Sequence, residues 1–506
     1  MEFSTICSII LIILLLYYYL LPRDNFFDKH GIPYVKPVPL LGNMAPMFLF
    51  QTMSLFETMQ RTYNFDKKAK YVGFLDFETP ILMIRDHELA KKITIKHFNC
   101  FVNHRDFITS QQDPLFGNIL FNLHDQKWRN TRNVMTPAFT SSKMKCLFPM
   151  ITECARNYVD YFVDQSRDKP LELNTKDAFS RYTNDVIGRF AFGVTIDTIR
   201  NQNNYFYEVG KKSTSFEGLP GFKVVLLRLV PKFCKLFDIK FITDDVAGFF
   251  KKLVADTIAM RDEQGISRQD MIQLMMETRN KQERDEDKLT TLEMTSQAFS
   301  FFFGGYETSS TFMCFVAQEI AEKPHIQETL RREVDLVFEE HGDTPPYEAI
   351  NNMSYLDAVF SEALRMYPVF AFLDRVCNTD FELPPVLPGR HPVVLKPGDI
   401  VWIPIYCFQR DPEIFSNPDV FDPERFINNG KLSANSANSM SFGQGPRMCI
   451  ANRFALLESK IMFVHLLRKC LLKPGKRMIT PLKLSNTSFL MRAEGGFWVE
   501  LQPRRL

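Results

Sequence analysis

A mainly α chain preceded by one N-terminal transmembrane helix is the fold class predicted by the sequence, and three segments carry that expectation. Residues Phe3 to Leu21 contain no charge; at the rise of an α-helix they are long enough to cross a hydrocarbon core of about 30 Å. Toward the other end, apolar residues recur at Ile450, Phe454, Leu457, Ile461, Val464 and Leu467, which is helical spacing. Between them, the stretch beginning near Gln297 reads as a long helix to about Glu322.

Taken in order, residues 3–21 predict a single membrane anchor. A cleaved signal peptide is the competing reading, but Glu2 stands where a basic region is needed, and Pro22-Arg23 follows with no small-residue cleavage site. Arg23, Lys29 and Lys36 lie beyond the span and Tyr17, Tyr18 and Tyr19 near that end, which predicts that the remaining chain faces the cytosol. Residues 22–43 include Pro33-Tyr34-Val35-Lys36-Pro37-Val38-Pro39, a proline-stiffened hinge that cannot continue the helix. Residues 44–506 carry no Gly/Ser linker, low-complexity tract or repeat and are expected to form one large body. Within it, Phe216 to Phe237 is apolar but broken by Pro220, Pro231 and lysines, as suits either a segment dipping into a membrane surface or ordinary packing.

Composition excludes several function classes. Lys and Arg total 61 against 59 Asp and Glu, a net charge of +2 that argues against nucleic acid as the principal partner. The 10 cysteines form no C-x-x-C pair or cluster, so neither a zinc site nor a disulfide framework is indicated, and a reducing compartment fits. The 48 phenylalanines supply enough aromatic surface for a greasy cavity as well as a core.

Four local patterns bear chemistry. Cys449 follows Ser441-Phe442-Gly443-Gln444-Gly445-Pro446-Arg447-Met448. Gly443 and Gly445 permit backbone angles forbidden to other residues, so the chain can turn tightly beneath a flat cofactor and aim amides at the sulfur. The following helix is expected to lower the thiol pKa and favour the thiolate before any metal arrives. In Tyr355 to Pro368, Glu362 and Arg365 stand at i and i+3 on one helical face, with Pro368 marking the end. Gly304-Gly305 followed by Glu307-Thr308 locally weakens a helix. Trp128 and Arg132 form a Trp-x-x-x-Arg pattern.

The Cys449 loop resembles the haem signature of the cytochrome P450 monooxygenases, Phe-x-x-Gly-x-Arg-x-Cys-x-Gly, with Ala451 in place of the final glycine. Arg425 in Phe421-Asp422-Pro423-Glu424-Arg425-Phe426 looks like the third member of that family's Glu-Arg-Arg network with Glu362 and Arg365. Details such as Asp185-Val186-Ile187-Gly188-Arg189-Phe190 and Ile403-Pro404-Ile405-Tyr406 are similar to insect microsomal members of family nine. The resemblance covers nearly the whole chain. It implies a helical triangular body with small β-sheets, and haem b ligated by Cys449 and sandwiched against the helix of Thr308. Phe442, Gly443, Gly445 and Ala451 would pack beneath the cofactor, and Trp128, Arg132, Arg375 and Arg447 would hold its propionates, which are costly to bury without partners. Thr308 and Glu307 would organise proton delivery to the reacting oxygen.

The same resemblance implies O2 as co-substrate and electrons from NADPH through NADPH-cytochrome P450 reductase, with cytochrome b5 as a further donor. Lys127, Arg129, Arg453 and Lys460 are the docking candidates. Residence in the endoplasmic reticulum membrane, single-pass, follows from the resemblance as well. Substrate walls are expected at Phe107, Phe116, Leu120, Phe303, Gly304, Val369, Phe370 and Phe489, all apolar, which predicts lipophilic small molecules. Relatives of this kind oxidise plant toxins and insecticides; the alternatives are an endogenous lipid, hormone or pheromone as substrate, or a haem-thiolate isomerase or dehydratase, against which Glu307-Thr308 counts.

Overall fold

A computed structural model describes residues 26–48, 50–106, 108–215, 219–281, 289–429, 431–432, 440–486, 488 and 490–504, with the side chains of 219, 220, 222, 228, 229, 231 and 431 excluded. The expected anchor at 3–21, Phe107 and Phe489 lie outside these residues. Among the described residues no helix is long and apolar enough to cross a membrane. The chain divides into two compact units: one takes the residues up to Asn103 with Ala371–Phe408, the other His104–Phe370 with Gln409–Leu506.

The first unit is built on a four-stranded sheet. Tyr71–Asp76 pairs antiparallel with Thr79–Ile84, which runs parallel to Ile400–Ile403, and Leu373–Val376 closes the edge antiparallel. Trp402 fixes one face, stacked on Phe372 at 3.8 Å and tilted on Phe74 at 4.9 Å; such rings contribute packing beyond their buried area. Helix α1, Leu55–Tyr63, starts with a capping box between Ser54 and Glu57. Part of the proline-rich stretch is docked on this sheet: the Gly73 amide donates to Pro33 and that of Asn43 to Leu75, while Asn43 Oδ1 accepts from the Leu75 amide at 2.7 Å. Gly42 makes the turn possible with φ +59°, and a β-carbon there would sit 2.2 Å from the Leu75 carbonyl oxygen.

The second unit is helical. In chain order it comprises α2 (Asp125–Met135), α3 (Ser141–Gln165), α4 (Thr175–Phe192), α5 (Tyr205–Thr214), α6 (Leu219–Leu229), α7 (Pro231–Leu236), α8 (Asp244–Gln264), α9 (Met271–Lys281), α10 (Thr291–Glu322), α11 (Pro324–His341), α12 (Ser354–Met366) and α13 (Asn452–Lys469). A small sheet joins Leu171–Asn174 to Trp498–Pro503 and Cys470–Pro474. The mainly helical fold with small sheets is thus as expected. Helix α10 is the axis of the unit: its start is fixed by a capping box of Thr290 and Glu293, and nearly every residue from Met294 to Ala321 is buried. Gly305 lets α4 approach it closely, since a β-carbon there would lie 2.6 Å from Ile187 Cδ1. The predicted helix end at Pro368 is also seen, α12 stopping at Met366.

Candidate active site

Two features of the helical unit bear on the reading of Cys449. The first is its loop: Gly443 and Gly445 both take positive φ, 79° and 70°, as the tight turn requires. The Cys449 amide donates to the Phe442 carbonyl at 2.8 Å. Cys449 is exposed to a solvent-sized sphere although protein mass surrounds it deeply enough to perturb its titration, so the surface it offers is internal. The second is α10, in which Gly304 is the sole exposed residue between Leu292 and Glu322. A β-carbon built on Gly304 would meet nothing within 4 Å. The Thr308 hydroxyl, one turn on, donates to the Gly304 carbonyl at 2.6 Å, a back-bond that tends to bend helices.

The expectation that the thiolate is favoured in the bare protein is overturned. Burial pushes the Cys449 thiol up, and the Ala451 amide and the Arg132 guanidinium only partly offset it. Helix α13 begins at Asn452, with Ala451 as its cap; Cys449 lies in the preceding turn, and desolvation outweighs the nearby helix terminus. Arg132 in turn is drawn down by burial and raised by the Cys449 charge, so the two groups are near enough to couple.

Around this centre the structure gathers cationic and aromatic groups. Trp128, on α2 one turn before Arg132, is buried and lies beneath the Arg447 guanidinium at 4.0 Å. Arg447 donates to the Leu123 carbonyl at 2.7 Å. Arg375 belongs to the other unit, where it is wholly buried on its strand; burial brings it down to about 10, partly offset by Asp374. Within the helical unit the donor set fits haem: a thiol facing an internal surface, an exposed glycine on an otherwise buried helix, and the half-buried guanidiniums of Arg132 and Arg447, suited to carboxylates.

Glu362, Arg365 and Arg425 meet in one charged cluster, the first two fully buried and Arg425 nearly so. Arg365 Nε and Nη2 donate to Glu362 at 2.7 and 2.8 Å, and Arg425 Nε donates to the same carboxylate at 3.1 Å. Glu362 and Arg365 are both fully buried, and the Asp422 amide gives Glu362 a further bond at 2.8 Å. Sequence reading missed the connector, Gln409. Its carbonyl accepts from Arg365 Nη1 at 2.7 Å, its side-chain nitrogen donates to Leu364 and Arg365 carbonyls, and its Oε1 accepts from the Met440 amide at 3.0 Å and from Ser441 Oγ at 3.1 Å. The network therefore reaches the residues that open the Cys449 loop.

Glu307 is held by two partners that no local pattern announces. Arg492 Nη2 lies 2.7 Å from Oε1, and Lys176 Nζ 3.1 Å from Oε2. Burial raises the carboxyl, but these two cations more than compensate and hold it below the usual glutamate range. Lys176 also donates to Ser310 and Thr311 at 2.8 Å each. Arg492 follows Met491, whose amide donates to Val369 at 3.3 Å, so Glu307 ties the C-terminal loop to α10.

The expected pocket residues are only partly assembled. Phe116 and Phe303 meet edge to face at 5.2 Å, joined by Phe241 at 5.0 Å from Phe116. Leu120 and Val369 are buried, whereas Phe370 is 52% exposed. Asp113, missed from sequence, fixes this wall by accepting from the Leu115, Phe116 and Ile242 amides, and Gln297 Nε2 on α10 donates to the Asn118 carbonyl at 2.8 Å. Among the reductase-docking candidates Lys460 is a correction. It is 4% exposed and paired with Asp357 at 2.7 Å, because its position on α13 faces the core. Lys127 pairs with Glu293 at 3.2 Å, and Arg453 donates to Ser141 Oγ at 3.1 Å.

Comparison with known proteins agrees with this geometry. The cytochrome P450 family model matches residues 32–499. Cytochrome P450 9e2 of Blattella germanica is 40% identical, with 95% of this chain and 94% of that protein covered. Probable cytochrome P450 9f2 of Drosophila melanogaster is 38% identical over 95% of this chain and 96% of that one, and cytochrome P450 6a2 of the same fly is 32% identical over 94% and 95%. With a family match across nearly its whole length and relatives up to 40% identical over 95% of it, the chain belongs to the cytochrome P450 family of monooxygenases.

Proposed function

We propose that this protein inserts one oxygen atom of O2 into lipophilic foreign compounds, using electrons from NADPH delivered by NADPH-cytochrome P450 reductase at the endoplasmic reticulum membrane. The observation that carries the reading is the exposed surface of Gly304 on an otherwise largely buried helix, next in sequence to Phe303 of the aromatic wall formed with Phe116 and Phe241, together with the exposed Cys449 on its glycine-turned loop. A wall with few polar fixings selects by burial and shape, and so accepts many substrates. Haem b, when bound, supplies the iron at which O2 is activated, and a thiolate ligand favours O–O cleavage by donating electron density.

The chain's own residues do the rest. Cys449 must lose a proton that burial makes it hold, so ligation releases that proton and is disfavoured at low pH. The Ala451 amide and Arg132 stabilise the resulting anion. Trp128, Arg132, Arg447 and Arg375 would carry the propionate charges. Thr308 donates to Gly304 and keeps its oxygen lone pairs for a water, placing an acceptor and a rotatable donor where protons are needed. Glu307, held ionised by Lys176 and Arg492, fixes the turn that bears Thr308 instead of serving as the immediate acid. The test is turnover of the full chain with reductase and NADPH on a panel of lipophilic toxins and insecticides. Monooxygenated products from several unrelated scaffolds support the proposal; turnover confined to one endogenous lipid or hormone contradicts the xenobiotic role.

A further inference from the structure

Two cysteines of the sheet-bearing unit lie on neighbouring stretches of chain. Cys100 closes the short turn Phe98–Cys100, and Cys377 follows the edge strand Leu373–Val376 that carries Arg375. Backbone bonds run these stretches side by side: the Val376 amide donates to the Asn103 carbonyl at 2.9 Å, and the Asn378 amide to the Cys100 carbonyl at 2.8 Å. Phe381 reinforces the contact, its ring meeting His97 at 5.1 Å and Phe101 at 5.0 Å. Hydrogen-bonded chains lie about 5 Å apart, and Cys377 is one step of about 3.8 Å from Asn378. The α-carbons of Cys100 and Cys377 therefore fall within the span of about 7 Å that a disulfide can bridge.

The two thiols differ in access and in readiness to react. Cys377 is 1% exposed, with its Sγ donating to the Thr379 carbonyl at 2.9 Å. Cys100 is half-buried, so a small oxidant arriving from water reaches it first. Burial pushes the Cys377 thiol up to about 11, and Asp399, Cys100 and Asp380 are near enough to add to that rise. Alone, then, Cys377 stays protonated and inert at neutral pH.

We propose that Cys100 and Cys377 form a redox site at which hydrogen peroxide makes a reversible disulfide across the sheet edge. In the first step the Cys100 sulfur attacks one peroxide oxygen and the O–O bond breaks. The departing hydroxide takes the Cys100 proton as water, leaving Cys100 as a sulfenic acid. In the second step the Cys377 sulfur attacks the sulfenic sulfur and the S–O bond breaks, the hydroxide leaving with the Cys377 proton as a second water. Two thiols lose two electrons and one peroxide gains them. Cellular thiols reduce such a bond again in a reducing compartment, which makes it a switch. While formed, it pins the strand that carries Arg375 to the stretch that follows Phe98. O2 reduced without product formation is a local source of the oxidant, but the site needs only the two thiols and does not rest on the proposed function.

The test uses the full haem-loaded chain in detergent, reduced beforehand and then exposed to a slow enzymatic source of hydrogen peroxide. Samples are denatured and alkylated with one iodoacetamide isotope, reduced, alkylated with a second, and mapped by mass spectrometry with and without the reduction step. The peptides of Cys100 and Cys377 should lose the first label together, appear as one linked species, and return with dithiothreitol; catalase should prevent the loss. Under the same exposure Cys100→Ser should leave Cys377 a thiol, and Cys377→Ser should leave Cys100 as a sulfenic acid that dimedone traps. Cys146, which is exposed, reports general oxidation and should link to neither. Should Cys377→Ser fail to fold, the linked peptide of the unaltered protein and the Cys100→Ser result still decide. Cys377 remaining a thiol while Cys100 is oxidised, or Cys377 oxidised equally in Cys100→Ser, would overturn the proposal.

Discussion

Cys449 and Glu458 show how burial sets the chemistry of single groups in this protein, and Thr308 shows how one accessible hydroxyl can carry a step. For Cys449 the proton that burial retains must leave before ligation, so haem loading should fall as pH is lowered, a trend readable from haem titrations between neutral and mildly acid pH. For Thr308 the expected outcome of Thr308→Ala is intact haem binding with product formation reduced by about 10²-fold, the scale of a lost proton-transfer group, while NADPH consumption persists. Measuring NADPH, product and hydrogen peroxide together checks it: a proportionate fall in all three would assign Thr308 a structural role. Glu458 is wholly buried on α13, and burial drives its carboxyl up to about 8, with Ser309 only partly offsetting; the hydroxyl lies outside good hydrogen-bonding geometry. Its proton is therefore held more tightly in the folded than in the unfolded chain. Stability falls as pH rises from the unfolded glutamate value, about 4.5, toward 8. Glu458→Gln should flatten that dependence and raise the unfolding temperature at pH 8; an unchanged pH profile would contradict the burial argument.

At the level of elements, what holds the Cys449 loop is a chain of hydrogen bonds from α12 through Gln409 to Met440 and Ser441. Glu362→Gln leaves Arg365 and Arg425 facing a neutral partner inside protein, and breaking such a buried pair costs roughly 3–5 kcal/mol. The expected result is expressed protein that fails to retain haem. Gln409→Ala should cost about 2 kcal/mol or more, since it strips partners from buried amides and carbonyls, and should reduce haem occupancy with less effect on the helical content seen by circular dichroism. These elements also show what the sequence makes legible. Glu362, Arg365 and Arg425 can be found because charged residues at helical spacing before a proline stand out from an apolar run. Gln409, Asp113, Lys176 and Arg492 cannot, because their roles come from backbone amides or carboxylates brought near by tertiary folding, which leaves no spacing signature. The same limit explains Lys460: its residue type suggests a docking face, and only the packing of α13 reveals it beneath Asp357 and Asn351. At Cys449 the helix start is legible from periodicity, whereas the desolvation that opposes it and raises the thiol is not.

For the molecule as a whole, apolar periodicity makes single helices legible, the resemblance to the family implies the helical body with small sheets, and the family match covers residues 32–499. The expected anchor lies outside the described residues, and its measurement is direct: the full chain should resist alkaline extraction from microsomes, whereas release into the supernatant would remove the anchor from the account. The proposed docking of a reductase belongs at this scale too, with Lys127, Arg129 and Arg453 as its candidates, since Lys460 is buried against Asp357. The central claim, a haem held by the Cys449 thiolate, is tested most directly by the absorption spectrum of the dithionite-reduced protein under carbon monoxide, beside a Cys449→Ser control. A strongly red-shifted Soret band that disappears in the control is the predicted result; a band at the position of imidazole-ligated haem, or the same spectrum from both proteins, would contradict it.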